Sequence, residues 1–327
     1  MFKEGLVCGK FEVLHKGHLA LIDFARNRCD KLNILLCSNE KYELIPGRTR
    51  FQWLKETYKY DNKINVEYTD VDLPYTSESN RDVAEVWSNY FKKLYPELYV
   101  IFTSEKYGDY VAEYMKIEHI MFDEKRISKP ISSTEIIKRP LSNWDFISDV
   151  AKPYFVKKIV LFGTESTGKS TFSEKLAKEF STNCVLERSR DIMTNTDTCT
   201  YEDMFILAEM HSNDINKGII NSNKMIFVDT NIETIKVYSD FLFNKKPSFK
   251  NWIEQSNKAD LYIFLSNDAP YVQDGTRLNL ERRNRLNDME LEHLIKNNLN
   301  FEIVKGQNWD ERYQKAIQII KKFKENL

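Results

Sequence analysis

Short apolar runs alternate with amphipathic stretches along the whole of this chain. In the first half, Gly5–Cys8, Leu32–Cys37, Ile64–Tyr68, Tyr99–Thr103 and His119–Phe122 have the length and make-up of strands. Between them, His18–Arg28, Thr49–Tyr60, Arg81–Leu94 and Gly108–Met115 carry the helical pattern. The second half continues with strands at Lys158–Phe162, Cys184–Leu186, Met225–Asp229, Leu261–Leu265 and Phe301–Val304, separated by helical patterns such as Glu202–Ile215 and Trp309–Phe323. This alternation predicts an α/β protein with parallel sheets and helices on both faces.

The rhythm pauses across residues 129–155, where Pro130, Pro140 and Pro153 stand among polar and aromatic residues. A domain junction is expected there, giving domains 1–151 and 152–327. A chain of 327 residues has room for two domains of about 150 each. Trp144, Phe146, Tyr154 and Phe155 make the junction too aromatic for a free linker, so the domains are expected to pack together. Neither an internal repeat nor a low-complexity segment is evident.

Composition narrows the class. The chain is 42% hydrophobic and 30% charged with a net charge of -1, which gives no electrostatic case for nucleic acid as partner. The five cysteines, Cys8, Cys29, Cys37, Cys184 and Cys199, are odd in number and lack C-x-x-C spacing. Free thiols in a reducing cytoplasm are the expected reading. No basic-then-apolar leader opens the sequence, and no run approaches the ~20 apolar residues of a membrane helix. A cytoplasmic protein with small-molecule partners and no membrane partner is expected; homo-oligomerisation is left open.

Candidate chemistry begins with Gly163–Ser170, which matches the phosphate loop G-x-x-x-x-G-K-[ST] directly after a predicted strand and before a helical pattern. Gly163 and Gly168 let backbone N–H groups turn inward, Lys169 would reach the β- and γ-phosphates, and Ser170 would hold Mg²⁺. Gly163, Thr164, Glu165, Ser166, Thr167, Gly168, Lys169, Ser170 and Thr171 are the expected ATP contacts. Asp229, ending an apolar strand, is the expected second Mg²⁺ ligand, with helix capping as the alternative. Glu187 and Arg190 follow a strand where acceptor contacts belong. Glu187 would bind ribose hydroxyls or accept the hydroxyl proton, unless it is a surface ion-pair residue. Arginines at Arg277, after Asp274-Gly275, and in Glu281–Arg285 suggest a mobile lid, or a solvated helix face.

The first-half counterpart is Gly9–His18. Two imidazoles, His15 and His18, flank Gly17 after a strand and can stabilise charge on a pentavalent phosphorus, with Gly9, Lys10 and Phe11 beside them. An i, i+3 histidine pair without a matching carboxylate or thiol is a poor metal site. Ser132, Ser133 and Thr134 would take phosphate oxygens, or cap a helix.

With both elements in this order, nearly the whole chain resembles the bifunctional nicotinamide-mononucleotide adenylyltransferase / ribosylnicotinamide kinase family. The first half is similar to that family's GKFxPxHxGH loop, to Arg50-Phe51-Gln52-Trp53, to Phe102-Thr103-Ser104-Glu105 and to its ISxTxIR element. The segments Asn143–Ile147 and Lys152–Lys157, Glu187-x-x-Arg190, Asp229-Thr230 and Val272-x-Asp274-Gly275-x-Arg277 are similar too. The resemblance implies a Rossmann-like nucleotidyltransferase domain followed by a P-loop kinase domain. It implies phosphorylation of nicotinamide riboside by ATP, then adenylyl transfer to the mononucleotide, giving NAD and pyrophosphate, with Mg²⁺. His15, His18, Lys169, Glu187, Asp229 and Arg277 would be catalytic, and Arg50, Trp53 and Trp87 would contact substrate alongside Glu187 and Arg190.

Three departures stand out. Val13 replaces the loop's proline, and Ile137 replaces the arginine that the family turns on the triphosphate; Lys138 or Arg139 would have to substitute. Some members also carry an N-terminal DNA-binding domain, for which no space is expected before the first strand. Two rivals follow: a riboside kinase whose transferase half is impaired by Ile137, and a non-catalytic protein that senses NAD or ATP.

Overall fold

Each half of the chain builds one five-stranded parallel sheet. The computed structural model describes residues 1–39, 41–74, 79–124, 130–192, 199–271 and 278–327. It divides into two compact units, Met1–Lys152 and Pro153–Leu327.

In the first unit the strands are β1 (Phe2–Gly9), β2 (Cys29–Cys37), β3 (Ile64–Thr69), β4 (Val100–Thr103) and β5 (Glu118–Met121), in the order β3-β2-β1-β4-β5. Both β1 and β2 start earlier than their apolar runs suggest. Pairing of Phe2 with Cys29 and Glu4 with Lys31 extends the ladder, and Glu4 accepts from Lys31 Nζ and Asn33 Nδ2, each at 2.7 Å. Cross-strand polar pairs thus carry the strands beyond what periodicity marks.

The second unit has β6 (Lys157–Phe162), β7 (Asn183–Val185), β8 (Met225–Asp229), β9 (Leu261–Leu265) and β10 (Phe301–Val304), in the order β10-β9-β6-β8-β7. Every residue of β8 and β9 is buried, as a parallel strand covered on both faces requires. Ile159, Leu161, Phe227, Ile263 and Leu265 pack with Phe172 and Leu176 of the helix Lys169–Glu179 and with Ile320 of the helix Trp309–Glu325. Each such buried side chain contributes about 1.5–3 kcal/mol.

The two sheets share one topological property. The chain leaves β1 to build β2 and β3 on one side, then returns to place β4 on the other; β6 lies likewise between β8 and β9. The strand order therefore reverses at β1 and at β6, and ligands of open α/β sheets bind outside the carboxyl end of such a strand. Gly9–His18 follows β1, and Gly163–Ser170 follows β6. Among the described residues, no helix is long and apolar enough to cross a membrane.

Candidate active sites

The helix after β1 is Lys16–Arg26, capped by His15 rather than by a hydroxyl or carboxylate. His15 Nδ1 accepts from the backbone N–H groups of Gly17 at 3.1 Å and His18 at 3.3 Å, so the neutral ring carries its proton on Nε2. His18 does the reverse: its Nδ1 donates to the Val13 carbonyl at 3.1 Å. The rings stack with centroids 3.8 Å apart and 18° between planes. His15 can thus donate through Nε2 while neutral, whereas His18 donates from that atom only as an imidazolium. The junction segment braces this arrangement. Ile147 pairs with His15, and Ser148 N donates to Leu14 O at 3.0 Å.

These residues open on a cavity of 480 Å³. Gly9, Lys10, Phe11, His15, His18, Trp87 and Ser132–Thr134 all line it, together with Thr103, Ser104 and Glu105. Ser132 also caps the helix Ser133–Lys138, its Oγ accepting from Glu135 N at 3.2 Å, so the capping reading holds for that hydroxyl. Ile137 is half-buried and Lys138 and Arg139 are exposed; none of the three lines the cavity.

Arg50 and Trp53, expected to contact substrate, are not among the residues that line it. Arg50 is fully buried on the helix Gly47–Tyr58. Its guanidinium pairs with Glu43 and donates to the carbonyls of Lys10 and Ile45 and to Ser38 Oγ. Phe11, next to Lys10, has φ of +48°, a costly conformation for a bulky residue. Arg50 therefore holds the strained Gly9–His18 loop from behind. Trp53 is buried on the same helix. Sequence reasoning missed Glu43; its signal was an acidic residue a short loop away from a helix-borne arginine.

In the second unit, Gly163 and Gly168 take φ of +134° and +94°, values open to glycine. A Cβ on Gly163 would stand 2.5 Å from Leu265 O, and one on Gly168 2.6 Å from the Trp309 ring. Thr164 and Thr167 are buried, and Thr167 Oγ1 donates to Thr164 O at 2.7 Å. Glu165 and Ser166 are half-buried, and Thr171 is exposed on the first turn of the following helix. Lys169 Nζ donates to Thr164 O at 3.2 Å, folded onto its own loop. Arg312, which the sequence did not flag, clamps the loop: its guanidinium donates to Thr167 O, Ser266 O, Gly306 O and Asp268.

Ser170 Oγ donates to Asp229 Oδ2 at 2.5 Å. Asp229 is fully buried, and its Oδ1 has no hydrogen-bond partner. Burial pushes its carboxyl up to about 6, against the pull of the Lys169 ammonium and with Glu187 adding to the rise. An exposed hydroxyl beside a carboxylate with a spare oxygen is the hard-oxygen donor pair that suits Mg²⁺ with phosphate oxygens. Thr230, the next residue, has φ of +64°, and His211 Nε2 donates to its carbonyl at 2.9 Å.

Glu187 is exposed after β7, and Arg190 lies on the helix Ser189–Ile192. Arg277 falls outside the described residues. The run Glu281–Arg285, expected as a lid or a solvated face, lies in the helix Leu280–Lys296; Glu281, Asn284 and Arg285 are exposed as a solvated face requires, whereas Arg283 fits neither reading. It is 1% exposed, and its guanidinium donates to Glu165 O at 2.9 Å and Asn267 O at 3.1 Å. Glu290, also missed, is fully buried on the same helix. Its signal was a carboxylate at the inward register set by Arg283, Leu286 and Leu294.

Comparison with known proteins agrees with this division. Residues 6–139 match the cytidylyltransferase-like family, and residues 158–312 match an AAA domain family. The trifunctional NAD biosynthesis/regulator protein NadR of Escherichia coli (strain K12) is 29% identical over 342 residues, covering 97% of this chain and 82% of that protein. Its namesake from Salmonella typhimurium (strain LT2) is 28% identical, with the same coverage. Among solved structures, a NadR protein in complex with NR superposes with a TM-score of 0.79 at 20% identity, covering 98% of this chain and 96% of that one. A NadR protein in complex with NAD and AMP-PNP gives 0.80 at 20% identity, covering 99% and 96%. Two parallel-sheet units, with Gly9–His18 and Gly163–Ser170 at their switch points, follow the NadR order, and the chain is homologous to NadR over 97% of its length.

Proposed function

We propose that the chain is a bifunctional enzyme of NAD formation. Its second unit phosphorylates the 5′-hydroxyl of nicotinamide riboside with ATP. Its first unit joins the resulting mononucleotide to the adenylyl group of a second ATP, releasing pyrophosphate. The observation that carries this reading is the pair of phosphate loops, each following the central strand of its sheet, in a chain related to NadR over 97% of its length.

In the second unit, the inward N–H groups of Gly163–Lys169 cradle the phosphates, and Lys169 leaves Thr164 O to reach the transferred one. Ser170 and Asp229 would hold Mg²⁺, which supplies charge neutralisation on the phosphates when bound. Glu187, exposed after β7, is the residue that would orient the riboside or take its hydroxyl proton. Arg190 and Arg277 belong to the acceptor and lid contacts of the same reading.

In the first unit no nucleophilic side chain is required, because the mononucleotide phosphate attacks the α-phosphorus of ATP. His15 Nε2–H and protonated His18 donate to oxygens whose charge rises as the phosphorus becomes pentavalent. Ser132, Ser133 and Thr134 add donors across the cavity, and Trp87 offers an aromatic face on its wall.

Two variants test the division of labour. Lys169→Ala should stop mononucleotide formation and leave conversion of supplied mononucleotide to NAD intact; His18→Ala should do the opposite. Loss of both activities in either folded variant would contradict two separate sites.

A further inference from the structure

Glu290 has neither carboxyl oxygen in a hydrogen bond, although the side chain is fully buried. It shares the inward face of the helix Leu280–Lys296 with Arg283, Asn287 and Leu294. The Asn287 side-chain oxygen, one turn away, is also buried without a partner. Burying a carboxylate with no donor and no dedicated counter-ion is costly, so such a group is retained where something else completes it.

The charged groups around Glu290 show what is missing. Lys169 and Arg283 face it with positive charge, Glu165 and Glu187 with negative charge, and Tyr238 closes in from the helix Ile232–Phe243. Burial pushes the Glu290 carboxyl up to about 8, the pull of Lys169 opposing that rise. Lys169 is the residue that ATP claims, and the Arg283 guanidinium is engaged by the carbonyls of Glu165 and Asn267. With ATP in the loop, Glu165 and Glu187 as well as Glu290 face this point, and among the described residues Arg283 is the cation left beside them.

We propose that Glu290 is a specificity-determining residue of the kinase unit, selecting an acceptor nucleoside whose base carries a fixed positive charge with an amide donor beside it. This rests on the riboside kinase reading above. An N-glycosylated nicotinamide ring is a pyridinium whose charge no proton loss can remove, and its carboxamide N–H groups suit the bare oxygens of Glu290 and Asn287. Replacing the carboxamide by a carboxylate cancels the net charge and brings an acceptor where a donor is wanted. Reducing the ring removes the charge and keeps the donor.

The test is kcat/KM for phosphorylation of nicotinamide riboside, nicotinic acid riboside and dihydronicotinamide riboside by wild type, Glu290→Gln and Glu290→Asp. Wild type should prefer the cationic amide. Glu290→Gln should shrink that preference over both other acceptors by at least about tenfold, with KM for ATP unchanged and Glu290→Asp intermediate. Unchanged ratios among the three acceptors, at whatever overall rate, would overturn the assignment. So would failure of Glu290→Gln to fold, which would make Glu290 a structural anion. If wild type phosphorylates none of the three, the riboside kinase reading itself falls.

Discussion

The Ser170 hydroxyl and the Asp229 carboxylate meet at 2.5 Å although they lie 59 residues apart. Parallel pairing of β6 with β8 puts Asp229 beside Leu161, so the end of one strand faces the loop that follows the other. On the proposed function, the contact would offer Mg²⁺ a pair of oxygen ligands. Asp229→Asn, which keeps the shape and removes the charge, should lower riboside phosphorylation by at least about 100-fold. Adenylyl transfer to supplied mononucleotide should not change. An unaltered kinase rate would remove Asp229 from the proposed metal site.

Arg312 is expected to matter through the loop it holds. Its fully buried side chain serves the carbonyls of Thr167, Ser266 and Gly306 as well as Asp268. Arg312→Met should destabilise the second unit by about 3–5 kcal/mol, seen as a lower urea midpoint of its transition. Lysine should restore little, because an ammonium cannot span the same acceptors.

Arg50 makes the parallel case in the first unit. Arg50→Ala leaves Glu43 buried without its partner and frees the Lys10 carbonyl beside strained Phe11. Adenylyl transfer should fall with a loss of about 3–5 kcal/mol in the stability of that unit. Phosphorylation of the riboside should persist. Full transferase activity with normal stability would show that the loop does not need this support.

Glu290 gives a pH signature. Its folded carboxyl titrates near 8, above its ordinary range, so the unfolded chain ionises first as pH rises. Its contribution favours the fold at low pH and is lost progressively between the ordinary carboxylate range and about pH 8. Glu290→Gln should therefore match wild type near pH 4 and exceed it by a few kcal/mol above pH 8, on the order set by such a shift. Denaturant melts across that range check it; a pH-independent difference would contradict the burial argument.

Much of the fold was legible because the core strands are uniform. The runs Met225–Asp229, Leu261–Leu265 and Phe301–Val304 are strands to the residue, and the helix Arg81–Leu94 matches its pattern because Asn80 caps it. The helix Leu280–Lys296 was hidden because Arg283, Asn287 and Glu290 occupy its inward face, where periodicity looks for apolar residues. The start of the helix Lys16–Arg26 was misplaced because an imidazole caps it, outside the usual set of capping side chains. The loops Gly9–His18 and Gly163–Ser170 could be picked out from local sequence. What holds them could not, since Arg50, Arg283 and Arg312 act on backbone carbonyls, and a carbonyl leaves no mark in a sequence.

The central claim is that one chain carries out two consecutive steps. The direct measurement is a time course of purified protein with nicotinamide riboside, ATP and Mg²⁺, with products separated by chromatography. Mononucleotide should appear first and NAD with pyrophosphate should follow. Mononucleotide accumulating without NAD would contradict the first-unit assignment, the outcome that Ile137 in place of arginine puts to the test. The absence of both products would contradict the account as a whole.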